Sequence, residues 1–473
     1  MFKIDDVDIN LISYGPSMSI RGSDIGPDIL IALEGLGTFK GITIEERLEE
    51  LLEKGKDLRD VASSIHREST RRGHASLTTS LILQFEISRC SRASTLLLAA
   101  APFGSYLQES QRRRQISRED FMIPPKINNI DTLSRRYSRA IMDVWSSYRN
   151  LIDRDVPLED ARYILPLASK TSIFVTGSLE NFTWLIYSSR FRDEKFFPRE
   201  LKRIGILIGE TALKVSPKLT SARLSFKPLA FSYPYPDPYK PSDIILEKII
   251  ERFGEIDQPL LLEFSLPDFL EEHLEKILRD HDSARSLNSL VYAVALEPLS
   301  LAAYHQSIRH RTVPTSVESI YKALERAEKD LRKNIIIPPS IKSREDSARI
   351  FYESTSMLLE AYLEFLDEGI DPSEAVYLCP QSVKIHVIRM YNAFNLFWPQ
   401  GFVATRTCSY AQWEERMIAY SIWRSIEKKS PAVGKLMGEK CKHLGYCPER
   451  EWCPIIKRYF PDYDDLQHLK SME

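Results

Sequence analysis

Apolar and polar residues alternate along Asp6–Pro16 (DVDINLISYGP), a period-two pattern that predicts a strand ending in a turn. From Ile44 to His66, Leu, Glu, Lys and Arg recur at helical spacing and predict helix. Leu81–Ile87 (LILQFEI) predicts a short apolar strand that runs into a helix-like stretch, SRASTLLLAAA, at Ser91–Ala101. Residues 132–152 predict a long amphipathic helix. In SYPYPDPYKPSD, four prolines within eight residues exclude helix and central strand, so residues 220–245 are the best candidate linker between two halves. The second half repeats the order. Helix-rich FLEEHLEKILRDHDS precedes the apolar LVYAVALEPLSLAAYHQSI at Leu290–Ile308.

At 473 residues the chain has apolar material for two or three cores. The 64 Lys and Arg nearly balance the 66 Asp and Glu, which argues against a nucleic-acid partner. The longest apolar stretches, such as Ala93–Phe103, are too short to cross a bilayer, and MFKIDDVDIN lacks signal-peptide character. No membrane association and a cytoplasmic location are expected. Cys90, Cys379 and Cys408 sit in apolar contexts and read as buried thiols, and nothing suggests a secreted disulfide framework.

The strongest chemical signal is Arg309-His310-Arg311, followed after seven residues by Ser319. A damaged copy lies upstream as Ala100-Ala101-Pro102, seven residues and Ser110, with Gln111-Arg112-Arg113-Arg114 directly after the serine. Two further landmarks recur: Ala161–Pro166 (ARYILP) resembles Ala375–Pro380 (AVYLCP), and Arg190 and Arg406 lie 29 and 31 residues beyond those alanines. The three offsets are 209, 214 and 216 residues, which indicates a tandem repeat too long in period for a solenoid. Each copy keeps the half of a site that the other has dropped. Guanidinium forks beside a serine and a glutamine suit phosphate and nucleobase recognition. Taken alone, RRRQ also reads as a solvated basic turn and the triplet as the polar end of an amphipathic helix.

These residues resemble the flavin-dependent thymidylate synthases (the ThyX family), whose signature has the spacing of Arg309–Ser319. Gln306 matches the family's glutamine three residues before the triplet. His74 in GHASL resembles its early histidine, Arg162 its arginine in an ARxxLP segment, and Arg406 its arginine before an AQWEIR-like segment, here Ala411–Glu414. The resemblance covers most of residues 1–435, once in each half. It implies an α+β fold of two tandem ThyX-like domains, 1–220 holding phosphate and 221–435 holding flavin, arranged as a pseudo-dimer, with a Cys-rich tail over 436–473. The implied reaction is reductive methylation of dUMP, with FAD as cofactor and NADPH and methylenetetrahydrofolate as cosubstrates. Ser110, Arg112 and Arg162 would hold the nucleotide phosphate, with Gln108 nearby. Gln306 and Arg406 would face the nucleotide and act in catalysis. Arg309, His310, Arg311 and His74 would hold the flavin. The reciprocal combination, Ala100, Ala101 and Pro102 with Val376, should be dead. Because the family is homotetrameric, two chains are expected to pair in imitation of it.

The chain departs from the family where a glutamate is expected two residues before the serine: Gln108 and Val317 stand there, with Glu109 and Glu318 displaced by one. This leaves room for a flavin and nucleotide enzyme with another substrate, or for a non-catalytic protein on the same fold. In the tail, Cys441, Cys447 and Cys453 recur at even spacing, a pattern that suits zinc or an iron–sulfur cluster, with His443 or Cys408 as fourth ligand, or else three unligated thiols.

Overall fold

The structure is a computed structural model that describes residues 1–20, 22–72, 74–101, 103–225, 234–449 and 452–464. The chain forms two compact units. The first comprises 1–241, 324–333 and 337–382, and the second 242–323, 334–336 and 383–473.

The first unit is built on an antiparallel sheet of β1 (Asp8–Gly15), β2 (Ile82–Ser91), β3 (Ser105–Gln108) and β4 (Lys170–Ser178), in the order β1-β2-β4-β3. The alternation seen at residues 6–16 thus becomes an edge strand, while Leu83, Phe85 and Ile87 of the central β2 are fully buried. The helical pattern of residues 44–66 resolves into two helices, Ile44–Glu53 and Leu58–Arg71. Gly55 (φ 60) breaks the run, and Thr43 and Asp57 cap the two N-termini. The long amphipathic helix spans Asp131–Asp153.

The second unit repeats the sheet as β5 (Leu260–Ser265), β6 (Tyr292–Ser300), β7 (Thr315–Val317) and β8 (Lys384–Asn392), in the order β5-β6-β8-β7. The element order and the pairing partners are those of the first sheet. A shared device fixes each central strand to the helix that follows it. Ser91 caps Arg92–Leu98 and accepts the Ser94 N–H at 3.2 Å; Ser300 caps Leu301–Ser307 and accepts the Ala303 N–H at 3.0 Å. A buried glutamate, Glu200 or Glu414, takes the backbone N–H of each serine, at 2.7 Å and 2.5 Å.

The repeats and the compact units are not the same segments, because the long helix Glu345–Asp367 of the second repeat belongs to the first unit. It packs against Asp131–Asp153, with the Tyr137 and Phe365 rings edge to face at 6.3 Å. The surrounding contacts come in reciprocal pairs. The Leu167 N–H donates to the Cys379 carbonyl at 2.9 Å, and the Gln381 N–H to the Leu165 carbonyl at 2.9 Å. The Lys126 N–H donates to Glu374 at 3.1 Å, and the Ser340 hydroxyl to Asp160 at 2.6 Å. Pro166 pairs directly with Pro380, its own counterpart.

The expected linker is partly structured. Pro217–Leu224 is helical, and residues 226–233 lie outside the described residues. Further on, Tyr239 is fully buried and donates its hydroxyl to the Ala93 carbonyl, while the Tyr235 hydroxyl reaches the Asn181 carbonyl at 2.8 Å. Tyr239→Phe should therefore cost about 1 kcal/mol of first-unit stability, read by chemical denaturation. An unchanged midpoint would show that the Tyr239 hydroxyl does not help to anchor the segment.

Candidate functional site

In the first unit, β3 ends at Gln108 and the chain turns sharply. The N–H groups of Arg113 and Arg114 both bond the Ser110 carbonyl, at 3.2 and 3.1 Å, and the Arg112 N–H donates to Ser110 Oγ at 3.3 Å. This turn exposes the Ser110 side chain and leaves Arg112 half-buried. Arg162 lies in the short helical turn Arg162–Ile164, almost fully buried. Glu159 joins the two arginines: its carboxylate accepts Arg112 Nε at 2.6 Å, and its carbonyl accepts Arg162 Nε at 3.1 Å. Arg112 therefore already grips an oxyanion, the geometry that phosphate binding needs. Gln111, between Ser110 and Arg112, is 3% exposed, and neither end of its amide has a hydrogen-bond partner. Gln108 uses its Nε2 on the Thr95 and Thr171 hydroxyls, at 2.9 and 3.4 Å. His74 is exposed beside the end of Leu58–Arg71, its backbone N–H on the Ser69 carbonyl at 3.2 Å.

In the second unit, His310 is wedged between Arg406 and the Phe402 ring. Arg406 Nε donates to His310 Nε2 at 2.6 Å, and the Phe402 ring lies edge to face at 5.3 Å. Burial, and then the positive charges of Arg406, Arg389 and Arg309, push the His310 pKa down to about 2. The ring is thus a neutral acceptor that orients Arg406. Arg309 is half-buried, Arg311 exposed, and the buried Gln306 Oε1 has no hydrogen-bond partner.

Beneath them runs a buried ionic network. Arg389, 2% exposed, lies 3.2 Å from Glu297 and 3.3 Å from Glu415. Burial opposes its charge, yet Glu415 and Glu297 hold its pKa well above the ordinary arginine range. Burial lifts Glu297 to about 7 against the pull of Arg389, and Tyr391 donates its hydroxyl to it.

The depressed His310 pKa has a definite sign. Between about pH 6.5 and 2 the unfolded histidine binds a proton that the folded one does not, so His310 removes stability as pH falls through 6.5. His310→Gln should flatten this acid limb of the stability curve between pH 6.5 and 4. A limb as steep as the wild type's would place the destabilising proton elsewhere.

The two copies have kept opposite chemistry. Sheet register places Ile87, Val175 and Gly177 where Glu297, Arg389 and Tyr391 stand, and the helix offset places Leu201 where Glu415 stands. No part of the ionic network survives in the first copy. Conversely, Ser319 and Glu318 are buried, at 1% and 3% exposure, where Ser110 and Glu109 reach the surface. Glu318 is held by His386, whose backbone N–H and Nδ1 lie 3.0 and 3.1 Å from its carboxylate. The offset of 214 that holds from the strands Lys170–Ser178 and Lys384–Asn392 through to Glu200 and Glu414 also corrects one landmark: the counterpart of Arg406 is Arg192, not Arg190. Arg192 pairs with Asp237 and stacks on Phe197 at 4.4 Å, fastening the proline-rich segment. Sequence reading also missed Glu159, whose signal was its place one helical turn before Arg162.

Among the described residues no group of three or more His, Cys, Asp and Glu side chains is placed to hold a metal ion. Cys441 and Cys447 pack with Ile456 and Trp452 in a small apolar cluster. Burial there pushes the Cys441 thiol up to about 11, so it carries a proton at neutral pH. Among the described residues, no helix is long and apolar enough to cross a membrane.

Comparison with known proteins matches the Thymidylate synthase complementing protein model at residues 38–218 and again at 248–432, as expected of a tandem duplication. The flavin-dependent thymidylate synthase of Pyrococcus horikoshii is 31% identical over 193 residues, 40% of this chain and 77% of that protein. That of Saccharolobus solfataricus is 30% identical over 202 residues, 41% of this chain and 74% of that protein. Among solved structures, the UMP/dUMP methylase PolB of Streptomyces cacaoi bound with 5-Br dUMP aligns with a TM-score of 0.40 at 17% identity, covering 48% of this chain and 98% of that one.

Proposed function

The chain belongs to the Thymidylate synthase complementing protein family, and from that membership we propose that it is an FAD-dependent enzyme that methylates dUMP to dTMP, with methylenetetrahydrofolate and NADPH as cosubstrates. The observation that carries this reading is complementary retention: an exposed Ser110 with Arg112 and Arg162 in one copy, and the triplet with its buried Arg389 network in the other. Random decay would have no reason to spare opposite halves. The two sets make one composite site per chain equivalent, and two chains pair to imitate the family tetramer. The reciprocal contacts around Pro166 and Pro380 support a pseudo-dimer, since a residue that meets its own counterpart is the mark of a two-fold interface.

The second copy's residues fit FAD: Arg309 and Arg311 supply cationic forks for a pyrophosphate, with the neutral His310 between them in sequence. When bound, FAD supplies the hydride-transfer chemistry. The protein's own work is placement and charge. Ser110, Arg112 and Arg162 hold the phosphate, with Glu159 yielding Arg112 to it. Gln306 reads the base. Arg406, held by neutral His310, stabilises negative charge developing on the pyrimidine ring during attack at C5. His74 helps to hold the flavin.

The reading is tested by recording the visible spectrum of the purified chain and assaying tritium release from [5-³H]dUMP with both cosubstrates. Lack of a flavin spectrum even after FAD addition would sink it. Flavin without tritium release would favour a second reading, the same site with another substrate, for which Gln108 is the motive: its amide is committed to Thr95 and Thr171 where the family has a glutamate. The asymmetry gives a finer check. Ser110→Ala should weaken dUMP binding about tenfold, the worth of one hydrogen bond to a charged group. Ser319→Ala should leave it unchanged, as calorimetric titration would show.

A further inference from the structure

The first unit contains a cavity of about 650 Å³ lined by Phe103 and Gly104, which follow in sequence the positions of the lost triplet, within the 300–1,000 Å³ usual for small-molecule sites. Its origin is legible from the repeat. In the second copy, Asn395 Nδ2 donates to the Thr312 carbonyl at 2.8 Å and Thr312 Oγ1 donates back to Asn395 Oδ1 at 3.0 Å, closing loop onto helix. In the first copy Phe103 stands at the place of Thr312, and Gly177 at the place of Tyr391. The latch is lost, a large side chain is gone, and the gap stays open.

The walls state what the gap accepts. Phe103 and Ile82, 66% and 43% exposed, and Tyr235 line it with apolar and aromatic surface. Asn181 lines it too, 8% exposed, with its Nδ2 lacking any hydrogen-bond partner. A buried donor left unmade is unfavourable, and a carbonyl acceptor in the cavity would relieve it. Among the described residues the lining includes no Lys or Arg, and the one carboxylate among them, Glu180, is saturated by the Arg223 fork at 2.7 and 2.8 Å and by Thr78 at 2.8 Å. None of these residues would compensate a phosphate.

We propose that this cavity is a second ligand site, distinct from the composite site, for an uncharged planar heteroaromatic ring that carries a carbonyl. The ring lies against Phe103 and Tyr235, and its carbonyl accepts from Asn181 Nδ2. Replacement of the basic triplet by Ala100-Ala101-Pro102 has thus changed the ligand class of the first copy from anionic to neutral.

The test uses the full chain saturated with FAD and two phosphate-free probes, lumichrome and thymine, which separate a tricyclic from a single-ring ligand. Saturable binding of at least one probe, at one site per chain, is expected by fluorescence or calorimetry. Asn181→Leu, which removes the donor, and Ser105→Trp, which crowds the mouth from an exposed position, should each raise its dissociation constant at least tenfold without changing FAD content. Binding of neither probe would overturn the proposal. So would binding that survives both substitutions, or that disappears in Arg309→Ala together with FAD. Because the readout is binding and not turnover, the result stands whatever the methylation assay shows.

Discussion

Arg309→Ala is expected to yield a folded chain that no longer retains flavin, with FAD affinity reduced about 100-fold. That is the effect of losing one charge-assisted fork to a pyrophosphate, about 2–3 kcal/mol. Arg309 is half-buried and its substitution leaves the Glu297–Arg389–Glu415 contacts in place, so the second unit should still fold. Arg112→Ala should instead preserve the flavin spectrum and weaken dUMP binding. Val376→Ala removes two buried methyl groups, at about 1 kcal/mol each, from the copy that has lost its phosphate arginine, and should change stability without touching either ligand. Equal damage to both ligands from all three substitutions would contradict a divided site. Absorbance at flavin wavelengths, nucleotide titration and melting curves on the three variants make the comparison complete.

The second large effect concerns stability. Glu415→Leu should destabilise the second unit by about 3–5 kcal/mol, because it strands the Arg389 guanidinium in a buried site with one carboxylate in place of two. The joint change Glu297→Ile, Arg389→Val and Glu415→Leu copies what the first repeat has at these positions, with Tyr391→Phe to remove the stranded hydroxyl, and removes the charges together. It should unfold less readily than Glu415→Leu alone, by the rule that an unpaired buried charge is worse than none. Denaturant midpoints measured on both proteins decide this. If the single substitution were neutral, the network would be decoration and could not be what holds Phe402, His310 and Arg406 in register.

Much of this was open to reading from the chain alone, for identifiable reasons. The strand at Asp8–Gly15 and the helix at Asp131–Asp153 carry strong period-two and period-3.6 signals. The triplet and its serine are a spacing, which sequence states directly. What escaped was set by tertiary contact. Glu159 carries no motif of its own and matters only because it lies 2.6 Å from Arg112. Arg192 was passed over for Arg190 because the correct offset emerges only from the paired strands and helices. The proline-rich stretch reads as linker by composition, yet Tyr239 and Asp237 pin it to the first unit. The tail cysteines have a regular spacing, but spacing alone does not show that Cys441 and Cys447 pack against Ile456.

The facing prolines have a consequence for how such a chain changes over time. In a pair of identical subunits, a mutation at a self-facing position arrives twice, once from each side, and both must tolerate it at the same moment. Here Pro166 meets Pro380 within one polypeptide, so each can be altered while the other waits. The covalent tie also keeps the two halves together at any dilution. Joined in that way, one copy is free to lose a property as soon as its neighbour supplies it, and symmetry ceases to be a condition of survival.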